Sequence, residues 1–290
     1  MTRLDFNERD LRSLRIFCTV AEAGGFAAAE HRLHMSKASI SRHIREVEER
    51  LGVRLCERGP AGFKLSAAGT VALELASNAL KSLGRIRPEI DAVRGVLSGT
   101  LSVGMTEQLI NHQACRIPEA LAELKRRAPD VKPEVVAMTF SNLNQALRER
   151  RVEVAIRGMY KKERVFDYRP LFVEVHRVYT LAKATPGKRG RLPLVYRPHP
   201  FVEQTIAEHG FVRGPDAGGL EAIALLIVTG EYAGLLPEHY AKLVGERYSL
   251  KANAKDPVYE NTICAITEAS RPMTSRMELF LDILDELHGG

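Results

Sequence analysis

Apolar residues near the start of the chain recur at helical spacing in three successive segments. These segments are residues 11–24, 26–34 and 36–51. Ser36 is a good N-cap for the third segment, and Gly52 stops it. The apolar residues of the second and third segments have the spacing that locks two helices across a tight turn.

A hairpin pattern follows the third helix. Residues 53–65 contain two strand-like runs around a turn at 59–62 that is rich in glycine and proline. Three helices and a hairpin in this order predict a winged helix-turn-helix domain, which we place in residues 1–66. In a helix-turn-helix the second motif helix lies in the major groove of DNA, and its first residues reach base edges.

Basic residues are concentrated in this part of the chain. The whole chain has a net charge of +6. The segment from Arg32 to Lys64 alone carries +4, from eight basic and four acidic residues. Such a stretch is typical of phosphate binding, although a solvated helix face with local ion pairs would give the same composition.

The candidate DNA contacts are hydroxyl, imidazole and cationic side chains of the third helix and the wing. They are Ser36, Lys37, Ser39, Ser41, Arg42, His43, Arg45, Arg58 and Lys64. Short hydroxyls and long cations suit groove edges and phosphates, and the start of a helix itself favours a phosphate.

A long helix is predicted over the linker, residues 67–98. Its small and apolar residues step by four and three, which is a coiled-coil seam: Ala72, Ala76, Ala79, Leu83, Ile86, Ile90, Val93 and Leu97. A second copy of the chain is the natural partner, although the seam could instead pack on its own chain. Pro88 should kink or split the helix near Arg87.

Strand and helix patterns alternate from Gly99 onwards, which predicts an α/β domain with a largely parallel sheet. The strand candidates are residues 101–105, 133–138, 152–157, 176–182, 193–197 and 232–236. The helix candidates are residues 114–127, 141–150, 201–209, 218–229, 237–244 and 273–288.

The first 70 residues resemble the DNA-binding domain of the LysR-type transcriptional regulators. The motifs that carry the resemblance are Phe17-Cys-Thr-Val-Ala-Glu22, Phe26, Leu33, Ser36, Ser41-Arg-His-Ile44, Val47-Glu48, Leu51-Gly52, Leu55-Cys-Glu-Arg58 and Leu65-Ser-Ala-Ala-Gly69. Later segments match the family more loosely, by layout. The chain departs from the family pattern at Glu30, where alanine is usual, and at Lys37-Ala38.

The resemblance implies a two-lobed effector domain over residues 99–290, similar to a periplasmic binding protein. Lobe one would comprise 99–183 and 264–290, and lobe two 184–263, with the effector held between them. Ligands of α/β sheets bind at strand carboxyl ends, where Glu107 also lies. The candidate effector-binding residues are Thr106, Thr139, Ser141, Arg157, Arg197 and His199. Their cations suggest an anion such as a carboxylate, although any one of them could be an ordinary surface residue.

The function that fits these patterns is sequence-specific, effector-controlled regulation of transcription. The expected partners are double-stranded DNA, a small-molecule effector and a second copy in a homodimer or homotetramer; RNA polymerase is a further candidate. The sequence lacks HExxH, GxSxG, P-loop and dinucleotide motifs, so we expect no enzyme, cofactor or metal. The alternative is a small-molecule-binding protein or enzyme that has kept a DNA-binding domain.

Two further expectations follow from composition. No signal-peptide core or membrane span is present, which predicts a cytoplasmic protein without membrane contact. The four cysteines are far apart in sequence and are expected to be buried and reduced, with redox sensing as the alternative for one of them.

Overall fold

A computed structural model describes residues 6–59, 62–184 and 190–289, with the side chains of 58 and 59 left out. The chain divides into two compact units, Met1–Arg87 and Pro88–Gly290. All four cysteines are buried and free of disulfides. In the part of the chain that is described, no helix is long and apolar enough to cross a membrane.

The first unit is a winged helix-turn-helix, as the sequence predicts. Its elements are α1 (Glu8–Glu22), α2 (Phe26–Leu33), α3 (Lys37–Leu51), β1 (Cys56–Gly59), β2 (Gly62–Leu65) and α4 (Ala67–Gly84). Asn7 and Asp10 form a capping box at the start of α1. Phe17, Ile40 and Ile44 are fully buried in its core, because the apolar stripes of α1 and α3 face each other.

The linker is helical but divided. A second helix, α5 (Ile86–Val93), follows α4 after a break at Arg85. The break precedes Pro88 by three residues rather than one. Pro88 lies in the first turn of α5, where a backbone N–H has no intrahelical partner and its loss costs nothing.

Only part of the predicted coiled-coil seam is exposed, and the rest is covered by the same chain. Ala72 and Ala76 pack on the core of the DNA-binding domain and Leu97 packs on the core of the second unit, so the alternative interpretation holds for these three positions. From Leu83 onwards the large apolar residues of the two linker helices are exposed: Leu83, Ile86, Ile90 and Val93. On α4 they are joined by Val71 and Leu75, which lie outside the predicted seam.

Within the described residues, the second unit is built on a mixed seven-stranded sheet of order β10-β6-β11-β5-β3-β4, with β9 added to β6. The strands are β3 (Ser98–Thr106), β4 (Asp130–Met138), β5 (Val154–Gly158), β6 (Phe166–Leu181), β9 (Gly234–Pro237), β10 (Leu250–Ala252) and β11 (Val258–Glu268). A separate small sheet pairs β7 (Leu194–Tyr196) with β8 (Arg213–Asp216). The helices are α6 (Ile117–Arg127), α7 (Phe140–Arg148), α8 (Pro200–Glu208), α9 (Leu220–Val228), α10 (Glu238–Gly245) and α11 (Ser275–His288).

Two long antiparallel strands, β6 and β11, join the two lobes of this unit. One half of β6 pairs only with β11, and its carboxyl-terminal part also pairs with β9 and β10. The expected return to lobe one at residue 264 therefore falls in the middle of β11, which begins at Val258. The strands β8, β10 and β11 were not predicted. Because β10 and β11 pair antiparallel with their neighbours, the large sheet is less parallel than the sequence suggested.

Candidate functional site

Polar side chains from both lobes meet in a cleft at the carboxyl ends of β3, β4, β5 and β7. The cavity at its base is about 30 Å³, and the open mouth brings the total empty space to about 400 Å³. Its polar lining consists of Thr106, Glu107, Thr139, Tyr160, Glu174, His176, Arg197 and His199. These residues come together because the carboxyl ends of the strands meet at one edge of the sheet, as in other open α/β folds.

Four of the six predicted effector-binding residues line this cleft, namely Thr106, Thr139, Arg197 and His199. Arg157 does not. It is buried, its guanidinium donates a hydrogen bond to the carbonyl of Gly158 at 2.6 Å, and it lies 4.9 Å from the ring of Phe140. Neighbouring strand residues point to opposite faces, so Gly158 lines the cleft and Arg157 turns away from it.

Ser141 also lies outside the cleft lining. It is the second residue of α7 and is exposed, whereas the first residue, Phe140, lines the cleft. Consecutive helical residues are about 100° apart around the axis, which turns Ser141 away.

Three polar residues of the lining were not predicted from the sequence, namely Tyr160, Glu174 and His176. Glu174 and His176 are two residues apart on β6 and share one face of it. The sequence did carry a signal for Glu174 and His176. Two ionisable side chains on the same face of an apolar strand cost folding free energy unless they have a function.

Arg197 is the main unpaired charge of the cleft. Among the described residues its guanidinium has no hydrogen-bond or ion-pair partner, and its Nε is fully buried. Burial lowers the pKa of Arg197, while the nearby Tyr160, Glu107 and Glu174 act in the opposite direction. Since the ordinary value is 12.5, the guanidinium remains a cation at neutral pH.

Burial favours the uncharged forms of three further groups that line the cleft, His176, His199 and Glu174. Burial lowers the pKa of His176 to about 3 and that of His199 well below 6.5. Burial raises the pKa of Glu174 to about 7. Both imidazoles are therefore uncharged at pH 7, and Glu174 is about half protonated.

Hydrogen bonds link the two lobes on either side of the cleft. The hydroxyl of Tyr160 lies 2.7 Å from Nε2 of His199, the N-cap of α8. The carboxylate of Glu107 accepts a hydrogen bond from the backbone N–H of Leu220 at 3.2 Å. Leu220 begins α9, whose own N-cap Gly219 has no side chain, so Glu107 caps this helix from the other lobe.

In the first unit, α3 presents most of the predicted DNA contacts at the surface. The hydroxyl of Ser36 accepts a hydrogen bond from the backbone N–H of Ser39 at 3.3 Å, which caps the helix. Lys37, Arg42 and Arg45 are exposed. Ser39 and Ser41 are half-buried at the same end of the helix.

His43 departs from this arrangement. Its side chain is 14% exposed, and Nδ1 lies 2.9 Å from the hydroxyl of Ser13 on α1 and 3.3 Å from Glu46. Position 43 is three residues from Ile40 and four from Val47, so it lies beside the buried face of α3. In the wing, Lys64 is exposed on β2, and the side chain of Arg58 lies outside the described residues.

Comparisons with known proteins bear on both units. Residues 11–70 match the bacterial regulatory helix-turn-helix protein family of LysR type, and residues 94–288 match the LysR substrate binding domain. The chain belongs to the LysR family of bacterial transcriptional regulators. It is a DNA-binding transcriptional regulator with an effector-binding domain, and its family is not one of enzymes.

Individual relatives agree with this assignment. The HTH-type transcriptional activator BauR of Pseudomonas aeruginosa is 30% identical over 251 residues, which is 80% of each chain. The regulator BbuR of Bordetella bronchiseptica is 32% identical over 66% of this chain and 60% of its own length.

Two solved structures share the fold of this LysR-type regulator. Full-length CbnR in complex with its target DNA has a TM-score of 0.67 at 22% identity, covering 96% of this chain and 99% of that one. Full-length OxyR from Pseudomonas aeruginosa has a TM-score of 0.61, also at 22% identity, covering 95% and 94%. The predicted combination of a winged helix-turn-helix and a two-lobed effector domain is confirmed.

Proposed function

We propose that this regulator binds its operator through α3 and the wing, and that a small carboxylate held in the cleft controls this binding. The exposed cations Lys37, Arg42 and Arg45 at one end of the domain support the first part. Such side chains bind phosphates and base edges, and the capped start of α3 is oriented to do the same.

The second part rests on Arg197. The Nε of its half-buried guanidinium has no partner, which is costly, and a planar carboxylate would satisfy the fork of donors. Both lobes line the site. Glu107 and Tyr160 belong to one lobe, and Arg197 and His199 belong to the other. A ligand that touches both lobes favours one arrangement of them, which is the condition for switching.

We further propose that the regulator acts as a dimer joined through the exposed apolar residues of α4, with two related half-sites in the operator. Leu75 and Leu83 are 63% and 46% exposed there, which is unusual for leucine unless a partner covers it.

The deciding experiment has two separate arms. A gel shift with the DNA upstream of the chain's own gene tests operator binding. A thermal-shift screen of small carboxylates, with Arg197→Ala as the control, tests the effector site. We expect an anion that raises the melting temperature of the wild type and not of Arg197→Ala. Equal stabilisation of both proteins would exclude Arg197 as the anion site and leave the DNA result standing.

A further inference from the structure

The charge of the cleft does not suit a simple anion. Besides Arg197 it is lined by two carboxyl groups, Glu107 and Glu174. The histidines that line it are uncharged at neutral pH. An anion placed against Arg197 would therefore lie near one or two negative groups in a site from which water is largely excluded.

The two carboxyl groups are not equivalent. Glu107 is engaged by the backbone N–H of Leu220 at the start of α9. Glu174 is 5% exposed, and its nearest basic neighbours are His176 at 3.3 Å and His239 at 3.8 Å. Burial lowers the pKa of these histidines to about 3 and about 4, so neither supplies a positive charge at pH 7.

Glu174 and Arg197 lie close enough for each to shift the other's pKa, but within the described residues neither has a charged group in direct contact. The two groups line the same cleft from different lobes' strands, yet they form no ion pair with each other among the contacts of the described residues. Two complementary unpaired charges on one small cavity call for a ligand that carries both opposite charges.

We propose that the cleft binds a small zwitterion, an amino acid, with its carboxylate on Arg197 and its ammonium group on Glu174. This proposal rests on the proposed function and specifies its ligand. The hydroxyls of Thr106 and Thr139 supply further polar partners at strand ends. The rings of Phe140 and Tyr160, 4.8 Å apart, line the same cavity and present aromatic surface that attracts an ammonium group.

The size of the cavity limits the ligand. The cavity itself is only about 30 Å³, the space of a few waters, so a ligand must be small and enters only as the two lobes move apart.

The test is isothermal titration calorimetry of the full chain with amino acids of two to six carbons, amino group at the α or the terminal carbon. Each is paired with the matched acid that lacks the amino group. We expect at least one amino acid to bind tenfold or more tightly than its matched acid. If a matched acid binds as well or better, the zwitterion is excluded and the anion proposal survives. If neither class binds, both fall, and only the DNA-binding part remains.

Proton exchange gives an independent readout. An ammonium group beside Glu174 favours its charged form, so binding near pH 7 should release protons. A bare anion beside Glu174 favours its protonated form and should take protons up. Titration in buffers of different ionisation enthalpy measures the sign, and proton uptake on binding of the amino acid would overturn the proposal.

Two variants locate the charges. Glu174→Gln keeps the shape of the side chain and removes its charge. It should weaken binding of the amino acid at least tenfold and leave binding of the matched acid unchanged or tighter. Glu107→Gln makes the same change at the other carboxyl group and should reduce the affinity for the amino acid by less. Thermal unfolding verifies that both variants fold. Equal losses for amino acid and matched acid in folded Glu174→Gln would contradict the assignment.

Discussion

The carboxylate of Glu30 on α2 accepts a hydrogen bond from the backbone N–H of Lys37 at 3.3 Å and lies 3.9 Å from its ammonium group. Lys37 is the first residue of α3, where a backbone N–H has no partner inside the helix. Glu30 therefore supplements the cap provided by Ser36. The residue that departs from the family pattern also places a negative charge beside residues expected to meet phosphates.

The charge of Glu30 should lower affinity for DNA. We expect Glu30→Gln, which keeps an accepting oxygen, to tighten DNA binding several-fold at low salt, because Lys37 is released to neutralise a phosphate. The salt dependence should steepen by about one counterion. Fluorescence anisotropy across a salt series measures both. Glu231→Gln, an exposed change in the second unit, is the control, and identical curves for the two variants would refute a local effect.

Arg42 should contribute to sequence recognition. It is exposed, one turn into α3 from the capped end, where base edges are read. Arg42→Ala should weaken operator binding by about 1–3 kcal/mol and affect unrelated DNA much less. Gel shifts with operator DNA and with unrelated DNA measure the two affinities separately. An equal loss on operator and unrelated DNA would indicate a phosphate contact instead.

Gly69 should be essential for the packing of the DNA-binding domain. A Cβ atom there would lie 1.9 Å from the carbonyl oxygen of Leu55, which is backbone and cannot rotate away. We expect Gly69→Ala to lower the free energy of unfolding by about 1–3 kcal/mol or more. Gly84→Ala, near the other end of α4, meets nothing within 4 Å and should leave stability unchanged or slightly raised. Thermal unfolding compares them, and equal melting temperatures would be inconsistent with this packing.

The carboxyl group of Glu174 should make the effector domain less stable as pH rises. Its pKa is about 7 in the folded protein against an ordinary 4.5, so between these values the folded state binds more protons than the unfolded state. Stability is then lost from about pH 4.5 to 7, and the total loss is about 3 kcal/mol. The loss is complete only well above pH 7, where the carboxyl group is ionised in both states.

His176 and His239 act in the opposite direction, because their lowered pKa values make stability rise with pH up to about 6.5. The prediction therefore concerns the difference between wild type and Glu174→Gln, in which these contributions cancel. Urea unfolding from pH 5 to 8 should show the wild type losing stability relative to the variant. A difference that does not change with pH would contradict the buried, protonated carboxyl group.

Leu83 should lie in the dimer contact. It is exposed on α4, and a charge there would have to be buried if a second copy covers it. Leu83→Glu should convert the dimer to a monomer in light scattering. Ser82→Glu places the same charge one residue away at an exposed polar position and should leave the mass unchanged. The wild-type mass in Leu83→Glu would exclude this face.

The winged helix-turn-helix was predictable from the sequence, because that domain is made of local interactions. Ser36 caps a helix three residues away, and Ile40 and Ile44 mark its buried face by spacing alone. The break in the linker was predictable from Pro88 to within a few residues. The face of the linker that is free to pack on a second copy was harder to predict. Ala72 and Ala76 are covered by their own domain in a way that heptad spacing does not encode.

The cleft, in contrast, depends on contacts between residues that are distant in the chain. The pairing of β11 with β6 joins Val258 to Arg177, far apart in the chain, and no local pattern records it. The direction of Arg157 depended on a strand register that the sequence alone left open. Glu174 lies on β6 of the large sheet and Arg197 follows β7 of the small one, so only tertiary packing brings both to the same cleft. Local periodicity fixes which side of an element is buried, whereas the charges that face one another across a cleft are set by long-range strand pairing.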